Sequence, residues 1–449
     1  MSLTASERTD HEKTNFKFLL SQIVEKQFCV GCGTCVAVCP FSALRMKETR
    51  NGYYVPVCDE EITCMSCKSC LNTCPAMYMA VPPRKDWSLP LMNFDINAPL
   101  LGSVIGAYIG YAKEQRVRTK GSSGGITSAL LICALESGLI DGAIVVGMNK
   151  EQPWKPEVKI AKTREEILEA AGSKYAVVPV NSILKSVRKM SGKFALVGLP
   201  CHIRGLRMIQ EEKSHGISNK ICLRIGLFCG LNFRTTGTSF LLSKLGIRNL
   251  KAIQRLEYKH SYPGRFYVKL SDKELQVANA SALLQLFRSE ACTFCSDLTN
   301  ELADISVGDI YSVHSKDAVG VILTRTKMGE NILLKAVSNG CLDTHRTGIN
   351  QVVESQFTGL IYKKNGSVVR KHLTDARRQR GSPRGGYHPQ AFPTSRQLAF
   401  EIIQHKVFFE GINRFLAAIF EYLPFKFSTY AYGKIITLMF LLGKSFYQD

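Results

Sequence analysis

The sequence predicts a small cysteine-rich α+β module, then a larger α/β domain with a mixed sheet, then a helical extension. Three observations predict this order. Two runs of four cysteines lie between residues 29 and 74. From residue 101 onward, short apolar strands alternate with helical segments, a pattern typical of α/β layers. Near the C-terminus, apolar residues recur at the spacing of an amphipathic helix.

The composition is that of a folded protein in a reducing compartment. The chain has 449 residues, of which 45% are hydrophobic and 21% charged, enough for two or three domains. Residues 1–17 contain no apolar signal segment, and no apolar run reaches the ~18 residues that a membrane-spanning helix needs. Sixteen cysteines in this context favour metal ligation over disulfides. We therefore expect a cytoplasmic protein.

The net charge of +21 favours binding of an acidic partner or ligand. Nucleic acid, an anionic membrane surface and an acidic cofactor or electron partner are the usual choices. The sequence holds no nucleic-acid motif and no repeat of aromatic and basic residues, so nucleic acid ranks last.

Each cysteine run has the spacing C-x2-C-x2-C-x3-C-P, which is typical of bacterial-type ferredoxins. Three thiolates of one loop reach one [4Fe–4S] cluster, and the fourth, expected on a helix leaving the loop, ligates the other cluster. The predicted ligands are Cys29, Cys32, Cys35 and Cys74 for the first cluster, and Cys39, Cys64, Cys67 and Cys70 for the second. A zinc ribbon needs only paired C-x2-C, and two complete runs ending in proline disfavour it.

The remaining parts of this module follow from local signals. Residues 1–20 are expected to be a mobile start that becomes a helix over 16–24. Two strands are predicted at 43–47 and 53–57, joined by the turn-forming Asn51-Gly52. Cys58 fits neither run and is interpreted as an inert thiol. The module is assigned to residues 21–82, and prolines predict an extended linker over 83–100.

The α/β region begins after this linker. Its predicted strands and helices are strands 107–111, 143–146, 159–161, 194–198 and 223–228, helices 126–137, 164–171 and 182–189, and a β-rich stretch at 252–270.

Several motifs of this region, taken in order, resemble one known family. They are Ser123-Gly124-Gly125, Gly172-Ser173-Lys174-Tyr175, Gly198-Leu199-Pro200-Cys201-His202, Cys229, Cys292 and Cys295 with Asp297, Ala303–Asp309, and Arg325-Thr326. Together they resemble the family of flavin-containing beta subunits of coenzyme F420 hydrogenases and dehydrogenases, over residues 101–370 and, with the preceding module, 28–80.

The resemblance implies an α/β plus β fold that binds FAD and oxidises or reduces F420, a deazaflavin. Relatives instead reduce a chlorophyll derivative or feed electrons into sulfite reductase and respiratory complexes. The expected fold class is therefore a ferredoxin-like two-[4Fe–4S] module, a mixed α/β flavin domain at 101–375 and a C-terminal helical extension.

The residues expected to contact FAD come from four places. Lys120, Ser122, Ser123, Gly124 and Gly125 precede a helix, where backbone N–H groups and the helix dipole suit a phosphate or an anionic ring edge. The chain has no G-x-G-x-x-G motif, and the alternative for this segment is a tight turn with a helix cap.

The other three places are a second loop, a strand end and a lone cation. Ser173, Lys174 and Tyr175 offer further donors and one positive charge, unless they only follow a C-terminal helix glycine. Asp309 ends a strand, where it would contact ribose or ring, or else is a turn residue. Arg325 would pair with the FAD pyrophosphate or lie in solvent.

Four further cysteines form a third candidate metal site. The resemblance implies that Cys201, Cys229, Cys292 and Cys295 hold a third [4Fe–4S] cluster near the flavin. A structural zinc or buried inert thiols are the alternatives. Three other cysteines, Cys133, Cys222 and Cys341, lack partners in the sequence and are interpreted as core residues.

The expected chemistry follows from electron counting. Reduced F420 carries a hydride, whereas FAD accepts two electrons and releases them singly. We expect hydride exchange between F420 and FAD, then single electrons through the third cluster to the two ferredoxin-type clusters and a redox partner protein or complex subunit. His202 is the only nearby candidate acid or base, and a structural role is favoured for it.

Two alternatives remain for the activity. One is an electron-relay subunit without flavin chemistry. The other is a reductase of the same fold acting on a tetrapyrrole or NAD(P)H.

The C-terminal region has two predicted parts. Residues 376–394 are expected to be a basic linker and 395–449 an amphipathic helical extension. The extension packs on protein, or it binds the cytoplasmic face of a membrane through its basic and apolar residues.

Overall fold

The structure is a computed structural model that describes residues 14–59, 64, 67–78, 98–212, 216–262, 264–310, 318–378, 428 and 434. Within these residues the strands are β1 (Leu44–Glu48), β2 (Tyr54–Cys58), β3 (Gly106–Ala112), β4 (Gly142–Met148), β5 (Pro156–Ala161), β6 (Phe194–Gly198), β7 (Ile221–Leu227), β8 (Ile253–His260), β9 (Arg265–Leu270), β10 (Glu274–Ala278), β11 (Ile305–Asp309), β12 (Gly320–Thr324) and β13 (Leu342–Arg346).

The α-helices of the same residues follow in chain order. They are α1 (Thr14–Leu19), α2 (Thr34–Val38), α3 (Ser69–Asn72), α4 (Ala98–Leu101), α5 (Gln115–Lys120), α6 (Ile126–Glu136), α7 (Arg164–Glu169), α8 (Leu184–Val187), α9 (Pro200–Glu212), α10 (Thr236–Lys244), α11 (Ala280–Leu284), α12 (Lys327–Ser338) and α13 (Ile349–Arg378). Strands and helices that the sequence predicted recur within a few residues of their expected bounds.

In the cysteine-rich module, β1 and β2 pair antiparallel, with Leu44 opposite Cys58. The helices hold the third cysteine of each run rather than the fourth, which corrects our expectation. Cys39 follows α2 with an extended backbone (ψ 111°). The physical reason is Pro40, because a proline disfavours the helical conformation in the residue before it.

An eight-stranded mixed sheet organises the rest of the described chain, in the order β13-β3-β12-β11-β7-β6-β4-β5. Strands β4, β6, β7 and β11 are mutually parallel, and the other pairings are antiparallel. The mixed α/β sheet predicted from the sequence is thus confirmed.

Both faces of this sheet are covered by helices. Alternate residues of one strand belong to different core clusters: Ala195 packs with α6 and α12, whereas Leu196 packs with α9. Because successive strand side chains point to opposite faces, the two clusters lie on opposite sides of the sheet. This explains why β6 is a continuous apolar run.

The β-rich stretch at 252–270 forms a separate sheet. Strands β8, β9 and β10 pair antiparallel in the order β10-β9-β8, and β10 lies beyond the predicted stretch. Helices α10 and α11 pack on these strands through a core that includes Leu241, Leu283 and Val268.

The 30-residue helix α13 was not predicted. Its buried positions include Lys363 and Arg370, which a search for apolar periodicity does not count. Its sequence also contains Asn365-Gly366, a dipeptide typical of turns. The helix reaches Arg378, so residues 376–378 are helical where we expected the basic linker to begin.

Some expectations fall on residues outside the described ranges. These are the mobile start up to residue 13, most of the 83–100 linker, and nearly all of the basic linker and the helical extension. Among the described helices, none has the length and apolar character needed to cross a membrane. The domain boundaries stay predictions.

Candidate redox site

The candidate site lies where three neighbouring strands end. Strands β6, β7 and β11 are adjacent and parallel. Cys201 lies in the first turn of α9 after β6, Cys229 follows β7, and Asp309 is the last residue of β11. In open α/β sheets, ligands bind outside the carboxyl ends of such strands. The topology therefore brings a predicted FAD residue and predicted metal ligands to one edge.

The glycine-rich loop before α6 has an unusual backbone. Ser123, Gly124 and Gly125 all have positive φ, at 50°, 70° and 71°. A Cβ atom at Gly125 would lie 2.5 Å from the carbonyl oxygen of Val117, and one at Gly124 3.0 Å from that of Gly110. Both positions thus require glycine, and the start of α6 is left without side chains there, as close approach of an anionic ligand requires.

Three of the segments that the sequence singled out meet at this loop. The Ser122 and Ser173 hydroxyls hydrogen-bond each other at 2.8 Å, and the Ser173 backbone N–H donates to Ser122 Oγ. Ser123 Oγ donates to Asp309 Oδ1 at 2.7 Å. Residues that lie 51 and 186 positions apart in the chain are therefore neighbours.

Lys259, which the sequence reasoning missed, completes this group. Its Nζ donates to Asp309 Oδ2 at 2.7 Å from strand β8 of the small sheet. The residue belongs to no motif, so no sequence signal pointed to it. It brings a cation to the loop.

Tyr175 lies beside the same charges within an aromatic group. Burial raises its pKa, the charge of Lys259 lowers it and that of Asp309 raises it, with a net increase. Its ring packs edge-on against Phe233 and Tyr258, with centroids 6.2 and 5.9 Å away.

The two predicted lysine contacts have different surroundings. Lys174 Nζ donates to the carbonyl oxygens of Ala170, Ala171 and Gly172, which satisfies the C-terminal end of α7. Burial lowers the pKa of Lys174 to about 7. Lys120 ends α5 and is exposed.

Arg325 is buried, with 1% of its surface exposed. Its Nη atoms donate to the carbonyl oxygens of Leu101, Ser103 and Thr299 and to the Thr299 hydroxyl, and its Nε donates to the Ser306 hydroxyl. All five N–H groups therefore bind protein oxygens. The side chain does not lie in solvent, and we leave it out of the proposed FAD site.

His202 is also buried, at 4% exposure. Its Nδ1 accepts a hydrogen bond from the Leu199 backbone N–H at 3.1 Å. Burial lowers the pKa of His202 to about 4, although a hydrogen bond to the backbone of Val178 opposes this. The imidazole is thus neutral and fixes the start of α9.

The first cysteine set surrounds a small cavity. Cys29, Cys32, Cys35 and Cys74 all line it, among apolar side chains. The pKa of Cys35 is raised well above its usual value by burial first, and then by Cys32, Cys29 and Cys74. Buried thiolates so close together need a cationic partner. This donor set therefore fits a [4Fe–4S] cluster.

The second set is assembled in the same crossed manner. Burial and then the charges of Cys58, Cys67 and Cys39 raise the pKa of Cys64 to about 11. Burial and then Cys67, Cys64 and Cys39 raise that of Cys70 to about 12. Cys39 thus lies with the cysteines of the other run, and Cys58 adjoins the set from the end of β2.

The third set joins three loops. Cys292 and Cys295 lie in and directly after a 3-10 turn (Glu290–Phe294), and the Cys229 backbone N–H donates to the Leu298 carbonyl oxygen at 2.8 Å. The pKa of Cys201 is raised by burial first, and then by Cys32, Cys229, Cys292 and Cys295. These four thiols also fit a cluster. No group of three or more His, Cys, Asp or Glu side chains in the described ranges is placed to hold a single metal ion.

The first cysteine run packs directly against the third set. Val30, Cys32, Ala291 and Cys295 form one buried cluster, with Cys201 against it. The Asn181 backbone N–H donates to the Cys32 carbonyl oxygen at 2.9 Å. The Asn181 side chain also donates to the Thr34 hydroxyl and to the His202 carbonyl oxygen, both at 2.9 Å.

A buried cation, Lys363, lies at the third set. Its Nζ donates to the Cys292 carbonyl oxygen at 3.2 Å from helix α13. Burial lowers the pKa of Lys363, but Cys295, Cys229 and Cys292 raise it more, to well above its usual value. The same helix places Arg370, whose Nε donates to the Thr293 carbonyl oxygen at 2.9 Å.

Two cysteines that the sequence left without partners lie together. Burial, then the charge of Cys341 and a hydrogen bond with it, raise the pKa of Cys133 to about 11. The pair forms because the turn into β13 returns Cys341 to helix α6, which holds Cys133.

Comparison with known families assigns three parts of the chain. Residues 107–185 and 191–348 match the N-terminal and C-terminal models of the coenzyme F420 hydrogenase/dehydrogenase beta subunit. Residues 28–77 match a 4Fe-4S dicluster domain.

Several curated proteins are similar to this chain. The chain is 31% identical to the coenzyme F420 hydrogenase subunit beta of Methanosarcina barkeri, over 56% of this chain and 84% of that protein. It is 27% identical to a subunit of the F(420)H(2) dehydrogenase of Methanosarcina mazei, over 69% and 83%. It is 31% identical to the coenzyme F420-dependent sulfite reductase of Methanocaldococcus jannaschii, over 71% of this chain but only 47% of that protein.

One solved structure has the same fold. It is a chain of the F420-reducing [NiFe] hydrogenase complex from Methanosarcina barkeri, with 28% identity, a TM-score of 0.52, and coverage of 67% of this chain and all of that chain. Together with the matches above, this shows that the chain belongs to the family of coenzyme F420 hydrogenase/dehydrogenase beta subunits.

Proposed function

We propose that this chain is an F420-linked iron–sulfur flavoprotein oxidoreductase, in which a hydride is exchanged between F420 and FAD and single electrons pass through three [4Fe–4S] clusters to a partner protein. Family membership and the dicluster match support F420-linked electron transfer. When bound, FAD would supply the step from two-electron to one-electron chemistry.

The proposal is supported mainly by one observation: the candidate FAD loop, the third cysteine set and the first cysteine set are neighbours in the structure. The FAD loop contacts Asp309 at the end of β11, Cys229 follows the adjacent strand β7, and Cys201 packs against Cys32. The third cysteine set would thus lie between the flavin and the first cysteine set. The second set, which shares the module with the first, would be the exit.

The residues of the chain would bind and orient FAD and F420. Ser123 and Lys259 hold the Asp309 carboxylate, and the glycines at 124 and 125 leave the start of α6 open to an anion. The net charge of +21 suits the acidic tail of F420. No side chain is assigned a proton-transfer role, since His202 is buried and its Nδ1 accepts the Leu199 backbone N–H.

The test is a spectral titration of the full chain, purified without oxygen. Reduced F420 should bleach the visible flavin and iron–sulfur absorbance. If FAD is bound but only NADPH, NADH or a tetrapyrrole exchanges electrons with it, the fold assignment stands and the substrate is wrong.

A pair of variants tests the FAD site. Asp309→Ala should lower the FAD content of the purified protein, because it leaves Lys259 and Ser123 without their shared acceptor. Asp343→Ala, on the outer strand β13, removes a carboxylate of the same sheet and should retain full FAD content. Equal FAD content in both variants would contradict the site.

The second candidate function is an electron-relay subunit without flavin. The likeness to a chain of a hydrogenase complex favours a subunit role. Purified protein that holds iron and sulfide but no FAD, even after incubation with FAD, would establish this alternative.

A membrane role for residues 395–449 remains a separate proposal. The full chain should float with anionic liposomes in a density gradient and a chain ending at residue 394 should not. If both forms stay with the soluble fraction, the anchor is excluded.

A further inference from the structure

Lys363 is a buried cation that belongs to none of the sequence motifs of the site. It lies on α13, outside the residues matched by the family models, and 1% of its surface is exposed. Its Nζ lies 3.2 Å from the carbonyl oxygen of Cys292, inside the loop that also carries Cys295. A buried lysine is rare unless it has a counter-charge.

Within the described residues, no carboxylate forms an ion pair with Lys363, in contrast to the neighbouring Lys364. Lys364 forms an ion pair with Glu301, whereas the ion pairs of the described residues include none with Lys363. The Lys363 ammonium instead lies against the backbone of Cys292, and the thiols of Cys229, Cys292 and Cys295 are among the groups whose charge acts on it. Its charge is therefore directed at the third cysteine set.

A fixed cation at this place has a definite electrostatic effect. A [4Fe–4S] cluster becomes more negative by one charge when it takes up one electron, and its reduction potential depends on local charge, hydrogen bonding and solvent exposure. A buried positive charge stabilises the reduced form more than the oxidised form, and low local dielectric strengthens this preference. Surface lysines act weakly because solvent and salt screen them.

We propose that the Lys363 ammonium raises the reduction potential of the cluster held by Cys201, Cys229, Cys292 and Cys295, so that this cluster accepts electrons readily from the flavin. The inference rests on the proposed function, since it needs the third cluster. Lys363 acts as a positioning and tuning residue through the Cys292 loop.

Its test is an EPR-monitored redox titration of the iron-loaded full chain under anaerobic conditions, with dithionite as electron donor. The signal of the third cluster is identified as the one missing from Cys229→Ala. In Lys363→Met, the midpoint of that signal should fall by at least ~59 mV, which corresponds to a tenfold change for a one-electron couple. Lys363→Arg, which retains the charge, should shift it by less than half as much.

Lys335→Met is the matched control. It removes one positive charge from an exposed position on α12 and should leave all midpoints unchanged. If Lys363→Met has the wild-type midpoint, the inference is overturned.

A purely structural role is distinguished by iron content. Lys363→Gln retains a donor for the Cys292 carbonyl without the charge and should hold as much iron as wild type, with the lowered midpoint. If Lys363→Met and Lys363→Gln both lose the third cluster, Lys363 only holds the loop and the inference is wrong. If wild type itself holds about eight rather than about twelve iron atoms, the third cluster of the proposed function fails instead.

Discussion

The two four-cysteine runs share one spacing but lie in different surroundings. Residues 30–34 of the first run are all buried, whereas in the second run Cys67 is half-buried and Lys68 is exposed. Cys32 packs with Cys295 and Cys201, and the described part of the second run has no comparable contact with the third set. The same ligand pattern thus serves an inner position and an outer position.

The intervening residues account for this difference. The first run reads C-V-G-C-G-T-C and the second C-M-S-C-K-S-C, so Gly33 corresponds to Lys68. Gly33 has a φ of 82°, and a Cβ there would lie 2.7 Å from the Ser182 backbone nitrogen. Only glycine permits this approach to the α/β domain. The spacing of the ligands alone does not determine which run packs against the α/β domain, because the residues between the ligands make the contacts.

The largest difference in stability between the two runs is expected for a substitution at Gly33. Gly33→Ala should destabilise the protein by about 1–2 kcal/mol from the left-handed backbone and by about 1–3 kcal/mol more from crowding against residues 179–182. Thermal unfolding of the iron-loaded chain measures this. Lys68→Ala, at the matching position of the second run, should stay within about 0.5 kcal/mol of wild type. Similar losses in both variants would mean that the runs are equivalent.

A smaller effect is expected from the hydrogen bonds that hold the first run. Asn181→Ala leaves the Thr34 hydroxyl and the His202 carbonyl without their partner in a buried place, which should cost about 1–3 kcal/mol. Denaturant unfolding is the measurement. Asn72→Ala changes an exposed asparagine of α3 in the second run and should have almost no effect. If Asn181→Ala is as stable as wild type, the packing of the first cysteine run against the α/β domain does not depend on this side chain.

The smallest expected effect comes from an ion pair between the module and the α/β domain. Glu48 of β1 accepts hydrogen bonds from Lys155 and Thr235. Burial raises the pKa of Glu48, but these bonds and the charge of Lys155 outweigh it, so the pKa is lowered. Because both side chains are partly exposed, Glu48→Gln should cost at most about 1 kcal/mol.

The pH dependence follows from the sign of this shift. A lowered folded-state pKa contributes stability above the usual value of 4.5, and this contribution is lost as pH falls through the lowered pKa. Wild type and Glu48→Gln should therefore converge in unfolding free energy on acidification. Glu25→Gln, at an exposed position, should match wild type throughout. A gap that widens at low pH would contradict the ion pair.

Much of the site was predictable from local sequence because its chemistry depends on short spacings. Three predicted ligands of each cluster are set by covalent distance along one loop, and the glycines at 124 and 125 directly precede a predicted helix. Strands β6 and β7 were likewise predicted from mainly apolar stretches of the sequence. Such local patterns can be interpreted without knowing how the rest of the chain folds.

The tertiary structure decided what depends on distant parts of the chain. It placed Lys259 of the small sheet at Asp309, and Lys363 of a helix that was not predicted at Cys292. It also placed Arg325 where its N–H groups hydrogen-bond protein oxygens. It also decided which cysteine run faces the third set. A lone lysine or arginine has no local signature, because its neighbours are chosen by strand order and helix packing. Local sequence therefore predicted the candidate cysteine ligands, whereas the packing of the chain decided which of them lie next to one another and which charges surround them.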